Sequence, residues 1–225
     1  MSLLNRLLIP CRYRAATSKE FLALAPLAQA QRAFYSRDKD INKPFPGGGT
    51  ISRRNYAPDV EEAVNQQINK ELESSYRYGA MANYFDRANV ALPGGAKFFS
   101  RQSTEERIHA QLLIDYQNSR AGKVILSNLQ APENQKWHLL LDAFVDALEV
   151  ETRNDAALHS LHRLAAEKED LDLTSFIEEN FLREQVMEID RMTRIATQLK
   201  RVGSSGLGEY LIDQQLLQQY GQAPK

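Results

Sequence analysis

The chain has 225 residues, 43% hydrophobic and 25% charged, the balance of a globular chain long enough for one sizeable core or two small ones. A formal net charge of −1 excludes a whole-chain field for nucleic acid, and the single cysteine, Cys11, excludes a disulfide framework and a cysteine-rich zinc site. No window approaches the ~18 consecutive apolar residues of a membrane helix, so neither nucleic acid nor a membrane is expected as a partner.

Charge is uneven along the chain. Residues 1–36 carry five cations and one acid, leaving a net charge of −5 on the remainder. Their opening, MSLLNRLLIPCRYRAATSKEF, mixes leucine, arginine and hydroxyl residues with almost no acid, the composition of a mitochondrial transit peptide. Arg6, Pro10 and Arg12 interrupt the apolar run that a secretory signal needs, and RAFYS at residues 32–36 suits processing. Matrix import is the expectation. Residues 37–57 hold a glycine triplet and two prolines and read as an extended arm. Residues 58–225 are left as the folded domain.

Pro58 and Asp59 supply a helix start. From there Val64, Ile68, Glu71, Ser75, Tyr78, Ala82 and Phe85 alternate steps of four and three, one face of a helix ending near Asn89. A second helix is predicted from about Ala96 to Arg120, with Ile108, Leu112, Leu113 and Tyr116 apolar, ended by Gly122. Residues 123–135 read as an extended crossover. A third helix is predicted from about Asn134 to Lys168, through Leu140, Phe144, Leu148, Glu151, Leu158, His162 and Ala165. A fourth runs from about Leu173 to Val202, through Phe181, Gln185, Met192, Ile195 and Leu199, and a short fifth from about Leu207 to Leu217. No segment shows strand alternation. The prediction is all-α: four long helices joined short–long–short into a bundle with one long crossover, plus a short fifth C-terminal helix that caps one end or docks on a neighbour.

Each long helix carries a polar residue where its pattern asks for an apolar one: Glu71 on the first, Glu106 and His109 on the second, Glu151 on the third, Gln185 on the fourth. Glu106 and His109 are spaced i, i+3 and point the same way. Three buried carboxylates with few inward cations repel one another, and a pair of metal cations resolves that. Carboxylate and imidazole without thiolate suit iron or manganese better than structural zinc. Di-iron bundles place Glu-x-x-His on two helices. Here the residues three before His138, His159 and His162 are Gln135, Ala156 and His159, so only one such pair exists. One metal then has histidine and carboxylate ligands. The other has carboxylates alone and is held more weakly, which suits iron turnover.

NQQINKELESSYRYGAMANYFDR, STEERIHAQLL, ALEVET and FIEENFLREQV resemble a ferritin heavy chain from about Arg54 to Leu217, and with the leader the chain resembles a mitochondrial ferritin. The resemblance implies a shell of two dozen subunits, homopolymeric or mixed. It implies ferrous iron oxidised by dioxygen at a dinuclear centre of Glu71, Glu106, His109, Glu151 and Gln185, with Tyr78 beside it, and ferric mineral stored inside. Glu106 would bridge the irons, Glu71 and His109 would hold the tighter one and Glu151 the looser, and Gln185 would contact the oxidant or a solvent ligand.

The chain departs from that family in two places. Of the inner-surface acids near the centre only Glu105 remains, with Ile108 and Gln111 replacing two others, so mineral nucleation is expected to be slower or elsewhere. At the three-fold pore His162 and Glu178 match the family's histidine and glutamate, but Ser175 stands at the aspartate position; Asp172 is a candidate to restore part of the field. Glu105 reads as solvent-facing, and His159 as surface or pore lining. Two rival functions are a catalytically silent structural subunit of a mixed shell, and a di-iron oxygenase for an organic substrate. The complete five-residue set argues against the first, and the single Glu-x-x-His pair against the second.

Overall fold

The computed structural model describes residues 53–221. The predicted leader, and the arm up to residue 52, lie outside the described residues.

Among the described residues every regular element is helical. α1 spans Pro58–Phe85, α2 Pro93–Ser119 and α3 Leu140–Glu167. α4, Leu171–Ile177, runs through a π-turn, Glu178–Leu182, into α5, Arg183–Val202, and these three segments form the fourth helix of the bundle. α6 spans Leu207–Tyr220. At ~1.5 Å per residue α1, α2 and α3 are each about 40 Å long. α1 packs along α2, α3 along α4 and α5, α1 across α3, and α6 against α2. The all-α bundle with one long crossover and a short C-terminal helix is therefore what forms.

Local chemistry sets the helix ends. Pro58 sits in the first turn of α1, where no intrahelical N–H is needed, with Asp59 and Glu61 favourable to the helix dipole. Asp170 caps α4 by accepting from Leu173 N at 3.2 Å. The third helix begins at Leu140, not near Asn134 as its composition suggests. Trp137 is the reason. It is buried against Tyr84 and Phe85, and its Nε1 donates to Asp146 at 2.9 Å, which holds residues 134–139 off the helix path. The first helix ends at Phe85, earlier than Asn89, because Leu92 N turns back to Phe85 O at 3.1 Å.

The π-turn answers a register problem. Leu173, Ile177, Phe181 and Gln185 are all buried and follow one another in steps of four. In an α-helix each such step overshoots a full turn by about 40°. Three steps accumulate about 120°, roughly the rotation that one wider turn absorbs.

The core is in two parts. One apolar cluster gathers Tyr78, Phe85, Phe98, Phe99, Trp137, Phe144 and Met192, and the other Val64, Ile68, Leu113, Leu158, Ile177 and Phe181. Between them every long helix contributes buried polar side chains: Glu71 and Ser75, Gln102 and Glu106, Glu151 and Asn154, and Gln185.

α6 is held by acid caps rather than by the dipole of its own ends. Asp213, wholly buried, accepts from Gly95 N at 2.8 Å in the first turn of α2, and Glu209 accepts from Leu140 N at 2.6 Å at the start of α3. A side chain at Gly94 would meet the Asp213 carbonyl at 1.8 Å, so only glycine admits this approach. Replacing Asp213 by leucine leaves the Gly95 N–H buried and unpaired, and should cost about 1–3 kcal/mol in urea unfolding. Asp213→Asn keeps the acceptor and should retain most of that stability; an equal loss in both would show that the cap contributes through its charge.

Candidate metal centre

Glu71, Glu106 and His109 bring one ligand atom each to within 4.8 Å of one another. Glu71 comes from the middle of α1, and Glu106 and His109 from successive turns of α2. His109 Nδ1 lies 3.7 Å from Glu106 Oε2, and its Nε2 lies 3.5 Å from Glu184 Oε2 on α5. The ring is edge-on to Phe181, which closes the site on the side of the second apolar cluster.

The three carboxyls of this layer are held differently. Glu71, 0% exposed, accepts from Gln67 Nε2 at 2.7 Å and from Asn154 Nδ2 at 3.1 Å. Glu151, 2% exposed, accepts from the Tyr78 hydroxyl and from Gln185 Nε2. Glu106, 4% exposed, keeps an Oε2 that is buried with no hydrogen-bond partner. Among the described residues no lysine or arginine pairs with any of the three. Burial is the first cause of the upward shift of all three acids. The facing Glu106 carboxyl adds to it for Glu71. Glu151 adds to it for Glu106, whose pKa is pushed up to about 8. For Glu151 the Tyr78 and Gln185 donors oppose the shift.

An orphaned buried carboxylate oxygen, a half-buried imidazole and two further acids with no cation among them form a donor set for hard or borderline divalent metals. Tyr78, expected beside the centre, reaches Glu151 as a hydrogen-bond donor. The structure thus brings Glu71, Glu106 and His109 together, and sets Tyr78 and Gln185 on Glu151.

Four neighbours escaped the sequence reading. Gln67 stands one turn before Glu71 and Asn154 three residues after Glu151. Glu184 precedes Gln185 and faces His109. Glu188, three residues beyond Gln185, is mostly buried, accepts from Gln102 Nε2 at 3.3 Å and pairs with Arg191. Its negative charge bears on both Glu106 and Tyr78. The i, i+3 spacing of Gln185 and Glu188 was the available signal.

Away from the centre, Glu105 is engaged by Arg101 at 2.8 Å and lies 3.8 Å from Arg191, and Ile108 is 59% exposed. His162 Nε2 and Glu178 Oε1 meet at 2.7 Å, with Ser175 exposed. Asp172 accepts from the Tyr116 hydroxyl at 2.8 Å and pairs with Arg120 at 3.2 Å. Asp172 is thus engaged by Arg120 rather than standing free beside Ser175. His159 lies exposed, 3.6 Å from Asp155.

A family profile described as a ferritin-like domain matches residues 61–202. The chain is 45% identical over 166 residues to soma ferritin of Lymnaea stagnalis, covering 74% of this chain and 95% of that one. The chain belongs to the ferritin family. A ferritin of Pacifastacus leniusculus is 44% identical over 168 residues, covering 75% of this chain and 92% of its own. The ferritin middle subunit of Aquarana catesbeiana is 45% identical over 163 residues, covering 72% and 93%. The profile spans every member of the polar layer, from Glu71 to Gln185.

The acid layer of this ferritin predicts how its metal-free form responds to pH. A carboxyl whose pKa is higher in the fold than in the unfolded chain gives its stability at low pH and loses it as pH rises through the folded value, here about 8 for Glu106. Thermal melting of the metal-free protein should show stability falling between about pH 5 and pH 9. Glu106→Gln, neutral throughout, should match the parent at the acid end and exceed it by on the order of 2–4 kcal/mol at the alkaline end. A variant no more stable at alkaline pH would mean that Glu106 ionises without cost.

Proposed function

We propose that this ferritin is a ferroxidase subunit that oxidises ferrous iron with dioxygen at a dinuclear centre and stores the ferric product inside a 24-subunit shell. The observation that carries the reading is the convergence of Glu71, Glu106 and His109 with, among the described residues, no lysine or arginine paired to the acids, and with Glu151, bonded to Gln185, near enough to feel Glu71 and His109. The family and its relatives named ferritin support iron as the metal.

Iron is the substrate. Glu71 and His109 take the tighter ion, the unpartnered Glu106 carboxylate bridges, and Glu151 takes the looser ion with the Tyr78 hydroxyl against it. Gln185, whose amide already donates to Glu151, lies where a solvent or oxidant ligand would be placed. Two ferrous ions held together supply two electrons to one dioxygen, so the rate gain comes from proximity and from carboxylates that stabilise the ferric charge. His109 distinguishes the two positions, and the absence of a second Glu-x-x-His pair makes the looser ion the one that leaves for the cavity.

The acid-poor leader of residues 1–36 supports import into the mitochondrial matrix, and the fold suits a shell built from this chain alone or with another ferritin subunit.

Adding ferrous iron to metal-free shells without oxygen, then mixing with oxygen in a stopped-flow instrument, tests the reading. A fast ferric absorbance phase that saturates at two irons per subunit is expected. Glu106→Ala with His109→Ala should remove that phase, slowing oxidation by 100-fold or more in shells that still assemble. A slow, unsaturable rise in the parent protein would instead make it a silent structural subunit.

With Ser175 at the pore and Asp172 held by Arg120, iron entry should depend only weakly on ionic strength. Ser175→Asp should steepen the fall of uptake rate with added salt; identical slopes would remove the pore from the explanation.

A further inference from the structure

We propose that Gln67 and Asn154 are positioning residues that fix the Glu71 carboxylate before iron arrives, so that Glu71 is a rigid post of the centre and Glu106 its adjustable member. The inference rests on the dinuclear reading above and deepens it.

Gln67 and Asn154 form a closed triangle with Glu71. Gln67 Nε2 donates to Glu71 Oε1 at 2.7 Å and to Asn154 Oδ1 at 2.6 Å, while Asn154 Nδ2 donates to Glu71 Oε2 at 3.1 Å. Both amides are buried, at 2% and 5% exposure. Each Glu71 oxygen therefore carries one N–H, and each keeps lone-pair capacity for a metal. Turning the carboxylate plane breaks both bonds at once. The triangle joins α1 to α3, so the clamp is anchored on two helices rather than on one flexible side chain.

The other carboxylates supply the contrast. Glu151 is likewise pinned, by Tyr78 and Gln185, but Glu106 leaves Oε2 without any partner. Glu71 and Glu151 are held by donors and Glu106 Oε2 is not, an arrangement that lets a single side chain follow changes in the separation of two ions.

A passage for iron through the α1–α3 seam is the rival use of these amides, and the surface above them speaks against it. Asn154 lies at a groove of about 210 Å³ whose charged lining is Lys70, Arg77 and Arg153 with one acid, Glu73. Gln67 lies at a neighbouring groove of about 230 Å³ that again includes Lys70. A cation approaching there meets Lys70 at both grooves, and more basic than acidic side chains at the first.

The test uses assembled, metal-free shells and Co²⁺, a probe that oxygen leaves unoxidised and whose visible spectrum reports its ligands. Co²⁺ binding by calorimetry and absorbance would be compared in the parent, in Asn154→Leu, and in Gln67→Met with Asn154→Leu. Outer hydrogen-bond partners of metal ligands typically contribute 10–100-fold in affinity. The tight site should weaken by that factor with an altered Co²⁺ spectrum, while binding at the looser site is unchanged. Should the leucine variants fail to assemble, Asn154→Ser, whose hydroxyl falls short of Glu71, should give the same weakening in a milder form. Unchanged tight-site affinity and spectrum in assembled variants would overturn the clamp, even if their melting temperature falls. Glu71→Ala separates this from the parent reading. If the parent binds no saturable Co²⁺, or binds it equally well without the Glu71 carboxylate, the dinuclear centre itself is wrong.

Discussion

Everything in this bundle is arranged around a layer of three buried carboxyls and one imidazole, in which, among the described residues, no lysine or arginine pairs with the acids. Such a layer is costly, because desolvation and mutual repulsion both oppose its ionised form. The fold tolerates it by sandwiching it between two apolar clusters, each built from all four long helices. That demands length. A helix half as long as α1 would have room for one cluster and the polar layer but not for the second cluster beyond it. The aromatic stack of Tyr78, Phe99, Phe85 and Trp137 on one side, and the Val64–Leu158–Phe181 group on the other, therefore belong to the site as much as its ligands do.

The layer was legible because helical periodicity makes a polar intruder conspicuous. Glu71 interrupts the run from Ile68 to Tyr78, and Glu151 stands midway between Phe144 and Leu158. The same method overlooked Gln67 and Asn154, since amides inside a helix usually face water and nothing in their spacing marks these two as facing each other across α1 and α3. Glu188 was missed for another reason: a template that looks for Glu-x-x-His stops at Gln185 and does not count an acid three residues later. Chain direction changes were less legible still. Trp137 overrides the helical composition of residues 134–139 through contacts with α1 that no local pattern contains. The π-turn was written in the repeated steps of four from Leu173 to Gln185, visible only once all four are known to be buried.

Counting acids differs from finding free charge. Asp172 reads in sequence as a free acid three residues before Ser175, but in the structure it pairs with Arg120. Arg120 also grips Asp170 through both terminal nitrogens at 2.9 Å and donates to the carbonyls of Arg54 and Asn55 at 3.1 Å. It ties the entering chain, the end of α2 and the α3–α4 turn into one knot. An acid recruited there serves the fold. Glu105 is similarly engaged by Arg101, and Glu188 by Arg191.

The pairing pattern thus sorts the acids by task. Glu105, Asp172 and Glu188 are each engaged by an arginine. Those that meet only neutral donors, Glu71 and Glu151, keep their capacity for a cation while being held in place. Glu106 has neither arginine nor a donor on Oε2. A chain selected only for stability would fill that position with a hydrophobic side chain, which buries well and needs no partner. A carboxyl there, on the one helix that also supplies His109, leaves a place where a cation can complete the layer.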